Sequence, residues 1–77
     1  MIIKIVGSRP VSFKDQNGDQ VTGTSYNYLY QDDRVEGYAA DKVFVRSGRQ
    51  SPFKVNGEYN VMYNRYGKID LDAVTSI

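Results

Sequence analysis

Short stretches of alternating apolar and polar residues run along the whole chain, and this period of two is typical of strands with one buried face. Residues 41–46 are an example, because Val43 and Val45 point to one side of an extended strand and Phe44 to the other. The predicted strands are residues 2–6, 11–14, 21–31, 34–38, 41–46, 58–64 and 68–72, and residues 74–77 either continue the last strand or fray. A short helix fits only at residues 38–42.

Turn-forming residues separate these stretches at short intervals. Asn17-Gly18 predicts a hairpin loop over residues 15–20, because this dipeptide accepts the positive φ angles of tight hairpins. Gly23, inside the longest predicted strand, predicts a bulge or sharp bend that helps to curl the sheet. Regularly spaced short strands of this kind indicate one small all-β barrel or sandwich.

The apolar composition favours the same fold class. The chain has nine Val, five Ile, seven Tyr and three Phe, but only three Ala and two Leu. Branched and aromatic side chains fit a pleated surface, whereas the good helix formers are scarce. The composition therefore supports an all-β domain over residues 1–77.

Length and missing residue types restrict the function. A core built from 77 residues is small, and the absence of Cys and His removes disulfides and zinc as stabilisers, so we expect a homodimer. Without His or Cys, and without a phosphate-binding loop, nucleophile elbow or metal-ligand spacing, we expect no enzyme, no cofactor and no metal site. The chain shows no leader or membrane-spanning pattern, so we expect a cytoplasmic protein, in the host cytoplasm if it is phage-encoded.

Phe44 is the first candidate for a binding residue. It shares a strand face with Lys42 and Arg46, opposite the face of Val43 and Val45. An aromatic ring between two cations offers a stacking surface for a base and charges for the neighbouring phosphates. Packing of Phe44 under a loop or in a protein interface is an equally weighted alternative.

Three tyrosines on one face of the third predicted strand form the second candidate. Tyr26, Tyr28 and Tyr30 alternate with Ser25, Asn27 and Leu29. Tyrosines that simply fill the core are the ordinary interpretation. However, Ser25 and Asn27 make a poor core face, so an open aromatic platform is the competing hypothesis.

A third candidate lies at a predicted hairpin tip. Tyr66 precedes Gly67 between the cations Arg65 and Lys68, where the ring has little core to enter. This arrangement suits contact with a nucleic-acid strand, although it is also ordinary turn chemistry. Tyr59 and Tyr63, by contrast, favour core packing beside Val61.

Four short motifs make the chain resemble the gene V type single-stranded DNA-binding, or helix-destabilising, proteins of filamentous phages. They are Gly23-Thr24-Ser25-Tyr26-Asn27-Tyr28, Val43-Phe44-Val45-Arg46, Gly57-Glu58-Tyr59-Asn60-Val61 and Tyr66-Gly67-Lys68-Ile69. The resemblance implies a five-stranded OB-fold barrel, a two-fold dimer and cooperative, sequence-tolerant coating of single-stranded DNA during rolling-circle replication. It also implies that Tyr26 and Tyr28 face the DNA, that Arg46 lies on the binding face and that Tyr66 stacks on a base.

Two other functions fit the same residues. A small β-barrel module could bind a polypeptide through an exposed Tyr, Phe and Arg surface, since these residue types dominate protein interfaces. A phage structural or tail component is a weaker alternative. The near-neutral net charge of +1 is offset by clustering, because Lys42, Arg46, Arg49 and Lys54 fall in one third of the chain.

Overall fold

Five strands joined into one antiparallel sheet form the framework of the protein. The computed structural model describes residues 1–77 and contains no helix. Its strands are β1 (Ile2–Lys14), β2 (Gln20–Tyr30), β3 (Ala39–Arg46), β4 (Glu58–Asn60) and β5 (Thr75–Ser76), in the spatial order β3-β2-β1-β4-β5. The predicted all-β class with five strands is confirmed. No helix is present that could span a bilayer.

β1 is one long strand with a bulge, where the sequence predicted two short strands. Ile5 pairs with Tyr28 and Gly7 pairs with Asn27, so Val6 is the extra residue. This insertion changes which face the odd-numbered residues occupy. Ile3 and Ile5 point into the core, whereas the odd-numbered residues after the bulge point to the opposite face.

Of the bulge or sharp bend predicted at Gly23, the bulge is wrong, because Gly23 pairs in regular register with Val11 on one side and Arg46 on the other. The predicted hairpin loop before β2 is confirmed. The Asp15 and Asp19 backbones are joined by a 2.9 Å hydrogen bond, and Gly18 has a φ of 82°. A tight β1–β2 hairpin follows from this turn.

Three predicted elements are absent. Residues 34–38 form a turn, residues 38–42 contain the start of β3 rather than a helix, and residues 68–72 hold only an isolated bridge between Tyr63 and Ile69. At two of these segments an aspartate side chain accepts a hydrogen bond from a nearby backbone N–H group. Asp32 accepts a hydrogen bond from the Arg34 backbone, and Asp70 accepts one from that of Asp72. Such local bonds favour turns over strand pairing.

The core lies on one face of the sheet, here called the core face. The loop between β3 and β4 and the segment after β4 fold over it. The buried cluster consists of Ile3, Ile5, Tyr26, Tyr28, Val45, Phe53, Tyr59, Val61 and Ile69. Phe53 is central to it, because its ring lies 5.4 Å from the ring of Tyr26 and 5.3 Å from that of Tyr59.

The sheet does not close into a barrel, so this part of the predicted fold is corrected. β3 and β5 are its two edges. β5 has only two residues and pairs only with β4, at Tyr59 and Asn60. Closure would need a longer last strand, and the turns that follow β4 leave none.

Candidate nucleic-acid interface

The face of the sheet opposite the core, here called the outer face, brings side chains of β1, β2 and β3 together. Residues directly opposite each other in antiparallel strands point to the same side. Arg9, Ser25 and Phe44 therefore form one row across the three strands. Val11, Gly23 and Arg46 form the next row.

Phe44 lies at the centre of this face. The predicted division of β3 is confirmed, because Val45 is buried on the core face while Phe44 is 36% exposed. The Phe44 ring lies directly over Gly23, since a Cβ built on this glycine would approach the ring to 2.5 Å. The ring of Phe13 meets it there, with centroids 5.9 Å apart and a tilt of 57°. Gly23 thus provides the space in which two rings from different strands touch.

Three cationic side chains lie around this aromatic pair, and none of them forms a salt bridge with an acidic residue. Lys42, Arg46 and Arg9 are exposed. The two salt bridges in the structure use other cations, those of Arg34 and Arg49. β1 and β2 contain no acidic residue, and the Asp41 of β3 lies opposite Tyr28 on the core face. The centre of the outer face is therefore locally positive on a nearly neutral chain.

The tyrosine platform is not on this face. Tyr26 lies opposite Val43 and Tyr28 opposite Asp41, which places both rings on the core face. They are only 9% and 2% exposed, so the prediction of open stacking rings at these two positions is wrong. Tyr30 is half-buried and packs against the same core, 5.9 Å from the Tyr28 ring.

The small polar residues of β2 explain why its tyrosines lie on the core face and not on the outer face. Ser25 is buried although it lies on the outer face, where it shares a row with Phe44 and Arg9. Long side chains of the neighbouring strands therefore flank the small residues of β2. The three tyrosines are left to supply the apolar area of the core, with Tyr28 at its margin beside Tyr63. Burial and this neighbouring phenol raise the pKa of Tyr28 above its ordinary value.

Tyr66 occupies the predicted exposed tip. It is 72% exposed, and the Asn64 side chain accepts hydrogen bonds from the backbones of Tyr66 and Lys68 at 2.9 and 3.1 Å. Gly67 completes the turn with a φ of 74°. The Arg65 guanidinium lies 5.1 Å from the centre of the Tyr66 ring. Arg65 and Tyr66 therefore form a cation–aromatic pair at the tip, with most of the ring in solvent.

A groove of about 400 Å³ separates this tip from β3. Asp41, Lys42 and Phe44 line the β3 side, so this wall carries one acid beside its cation, and Lys68 lines the other side. Tyr28 also contributes to its surface, as does Tyr63. Core packing, which was predicted for Tyr59 and Tyr63, is confirmed for Tyr59 but wrong for Tyr63, which is 48% exposed.

The nine predicted site residues thus divide into three sets. Lys42, Phe44 and Arg46 lie on the outer face, Arg65, Tyr66 and Lys68 belong to the tip and its groove, and Tyr26, Tyr28 and Tyr30 belong to the core or its margin.

Sequence reasoning missed Phe13 and Arg9. The signal that could have found them is the hairpin turn, which pairs Lys14 with Gln20. Counting back from this pair puts Phe13 opposite Val21 and Val11 opposite Gly23. The hairpin register therefore puts Phe13 on the same face as Gly23 and next to it, and the β2–β3 register places Phe44 over this glycine.

Comparison with known proteins found no matching family model, no matching curated protein and no matching solved structure.

Proposed function

We propose that the chain is a sequence-tolerant single-stranded DNA-binding protein that coats single strands during phage or plasmid DNA replication. The observation that carries this proposal is the half-exposed Phe44 ring, held over Gly23 between the cations of Lys42 and Arg46. The resemblance to the gene V type proteins supports the same function through residues 43–46 and 66–69, although Tyr26 and Tyr28 are buried rather than facing a ligand.

The spacing of the three β3 side chains suits a nucleic-acid strand. Alternate residues of a strand are about 7 Å apart, so a cation lies on each side of the Phe44 ring. A base stacked on the ring has its flanking phosphates within reach of Lys42 and Arg46. Every base has a π-face and every nucleotide a phosphate, so binding through these contacts is tolerant of sequence.

The groove and the tip extend the binding path of the nucleic-acid strand beyond β3. From Phe44 and Lys42 the groove leads to Lys68, and beyond it stand Arg65 and Tyr66. The Tyr66 ring offers a second stacking surface, and the two cations offer further phosphate contacts. Of the three β2 tyrosines, Tyr28 contributes to the wall of this groove, whereas Tyr26 and Tyr30 have no part in the path.

We also propose a homodimer. The buried cluster of a single chain has only nine residues, while Ile2, Tyr38 and Met62 are all more than half exposed. A second copy would bury apolar surface that one small core leaves in water. Sedimentation equilibrium at micromolar concentration is expected to give twice the chain mass of 8.7 kDa, and an 8.7 kDa species alone would exclude the dimer.

The test of DNA binding is a titration of labelled oligothymidylate at two salt concentrations, with wild type, Phe44→Leu and Arg46→Ala. Leucine keeps apolar contact with Gly23 but removes the aromatic face, and we expect a loss of about 1–3 kcal/mol of binding free energy. Arg46→Ala removes one phosphate contact, so the slope of log K against log salt becomes shallower by about 0.7.

Lys54→Ala is the matched control, because it removes one exposed cation from the loop before β4, away from the outer face. We expect wild-type affinity and salt slope from it. If wild type bound no oligothymidylate, or if Lys54→Ala and Arg46→Ala weakened binding equally, the proposed interface would be wrong. The exposed Phe and Arg side chains would then favour a polypeptide partner.

A further inference from the structure

We infer that β1 carries a second subsite for the same single strand, in which Phe13 stacks on a base and Arg9 binds the adjoining phosphate. The inference rests on the proposed function and extends it. The strand would run across the sheet from β3 over β2 to β1, roughly perpendicular to the β-strands.

The register of the three strands brings this subsite next to Phe44. Arg9 lies opposite Ser25, and Ser25 lies opposite Phe44, so the three share one row of the outer face. Neighbouring strands are about 4.8 Å apart, which puts the backbones of Arg9 and Phe44 about 10 Å apart. Two binding residues at this separation can contact successive parts of one nucleic-acid strand.

Phe13 extends the apolar surface of Phe44. It is 46% exposed although it touches the other ring. The two rings are tilted by 57°, so they do not stack face to face and each keeps its own surface for a ligand. Their meeting depends on Gly23, which leaves the space above β2 open. The pair is therefore a two-part stacking surface that spans three strands.

Arg9 supplies the charge that a second subsite requires. It is exposed and takes no part in either salt bridge of the structure. The nearest acidic residues along the hairpin are Asp15 and Asp19, and the carboxylate of Asp15 already accepts backbone hydrogen bonds within the turn. The Arg9 guanidinium is thus available to an external anion, and a phosphate beside a base on Phe13 is the one that the geometry favours.

The experiment uses thymidine 5′-monophosphate, a single nucleotide that cannot occupy both subsites at once, and an oligothymidylate of about 16 nucleotides, the upper limit of site sizes for one OB-type domain. The variants are Phe13→Leu, which keeps apolar support for Phe44 but removes the aromatic face, and Arg9→Ala. Lys4→Ala is the control, because it removes a cation from the same strand and face where Lys4 pairs with Leu29 and Glu58.

With the oligothymidylate we expect Phe13→Leu to lose about five- to a hundredfold in affinity. Arg9→Ala should make the salt slope shallower by about 0.7. Thymidine 5′-monophosphate, which occupies the Phe44 subsite first and is too short to reach the second subsite from there, should bind both variants almost as tightly as wild type. Lys4→Ala should match wild type at both lengths.

Three results would overturn the subsite. In the first, both variants bind the oligothymidylate as wild type does while Phe44→Leu and Arg46→Ala are weakened, which leaves the proposed function intact. In the second, Phe13→Leu loses the same factor at both lengths, which makes Phe13 a support for Phe44. In the third, wild type binds neither the mononucleotide nor the oligonucleotide, and the proposed function fails as well.

Discussion

Two aromatic side chains on neighbouring strands differ in burial: Phe44 is partly exposed and Tyr26 is buried. The reason is that they occupy opposite faces of the sheet. Phe44 lies on the outer face and Tyr26 on the core face, although both come from strands that alternate with period two. The face of Phe44 was predictable, because Val43 and Val45 leave no doubt which side of β3 is apolar. The face of Tyr26 was not, because tyrosine is amphipathic and the alternate residues of β2 are small and polar.

Gly23→Ala tests the seat of the Phe44 ring. The added Cβ would lie 2.5 Å from that ring and 2.4 Å from the carbonyl oxygen of Val45, so one of them must shift. We expect a loss of about 1–3 kcal/mol in the free energy of unfolding, measured by urea denaturation, together with weaker oligothymidylate binding.

Gly7→Ala is the matched control, because its Cβ would meet only the Asn27 side chain, at 3.4 Å. Gly7 is on the same outer face and in the same β1–β2 pairing. Wild-type stability and affinity in Gly23→Ala would show that the Phe44 ring needs no glycine beneath it.

The raised pKa of Tyr28 predicts how the free energy of unfolding changes at alkaline pH. Its folded-state pKa is raised, chiefly by burial, above the unfolded value of about 10. A group of this kind contributes its full stability below the unfolded pKa, and the contribution is lost as pH rises from there through the folded pKa. Urea denaturation between about pH 8 and 11 should show stability falling above about pH 10. Tyr28→Phe should fall less steeply, and an equal slope in both proteins would contradict the burial of this phenol.

At the level of elements, the strands that pair with a neighbour over many residues were the predictable ones. The predictions for β2 and β3 differ from the structure by at most two residues at either end, and the hairpin between β1 and β2 was marked by Asn17-Gly18. Long pairing and a defined turn specify each other, since the turn sets the register.

The region after β4 was predicted poorly for a physical reason. Residues 58–64 and 68–72 alternate as strands do, but Asn64 and Asp70 bond to backbone N–H groups two residues further on. These bonds replace the pairing that a strand would need. Closure of the sheet fails in the same region, so the barrel could not be judged from alternation alone.

Asn64→Ala tests what holds the Tyr66 tip. The substitution removes the acceptor for the backbone N–H groups of Tyr66 and Lys68, both exposed at the tip. We expect faster hydrogen exchange at these two amides with a loss of no more than about 1 kcal/mol in global stability. The turn at Asp15 and Asp19 is the internal reference, and equal changes there would mean that the variant loosens the whole sheet.

At the level of the whole molecule, a net charge of +1 conceals an uneven distribution. The sequence showed the cluster of cations around β3 but not the contribution of Arg9, because alternation counted from Ile3 and Ile5 puts Arg9 on the core face, and only the bulge at Val6 reconciles these core positions with the hairpin register. One extra residue near the start of the chain thus places Arg9 and Phe13 beside Phe44. Local charge and an aromatic surface coincide only after the sheet is assembled.

The most direct test is NMR of protein that carries ¹³C in the rings of its three phenylalanines, titrated with oligothymidylate. Phe13 and Phe44 lie on the outer face, and Phe53 is buried in the core as an internal control. We predict large shifts of the Phe44 ring signals, with Phe13 following on longer oligonucleotides, and an unchanged Phe53. Saturating oligothymidylate that leaves the Phe44 signals in place, or that moves all three rings equally, would contradict the outer face as the binding surface.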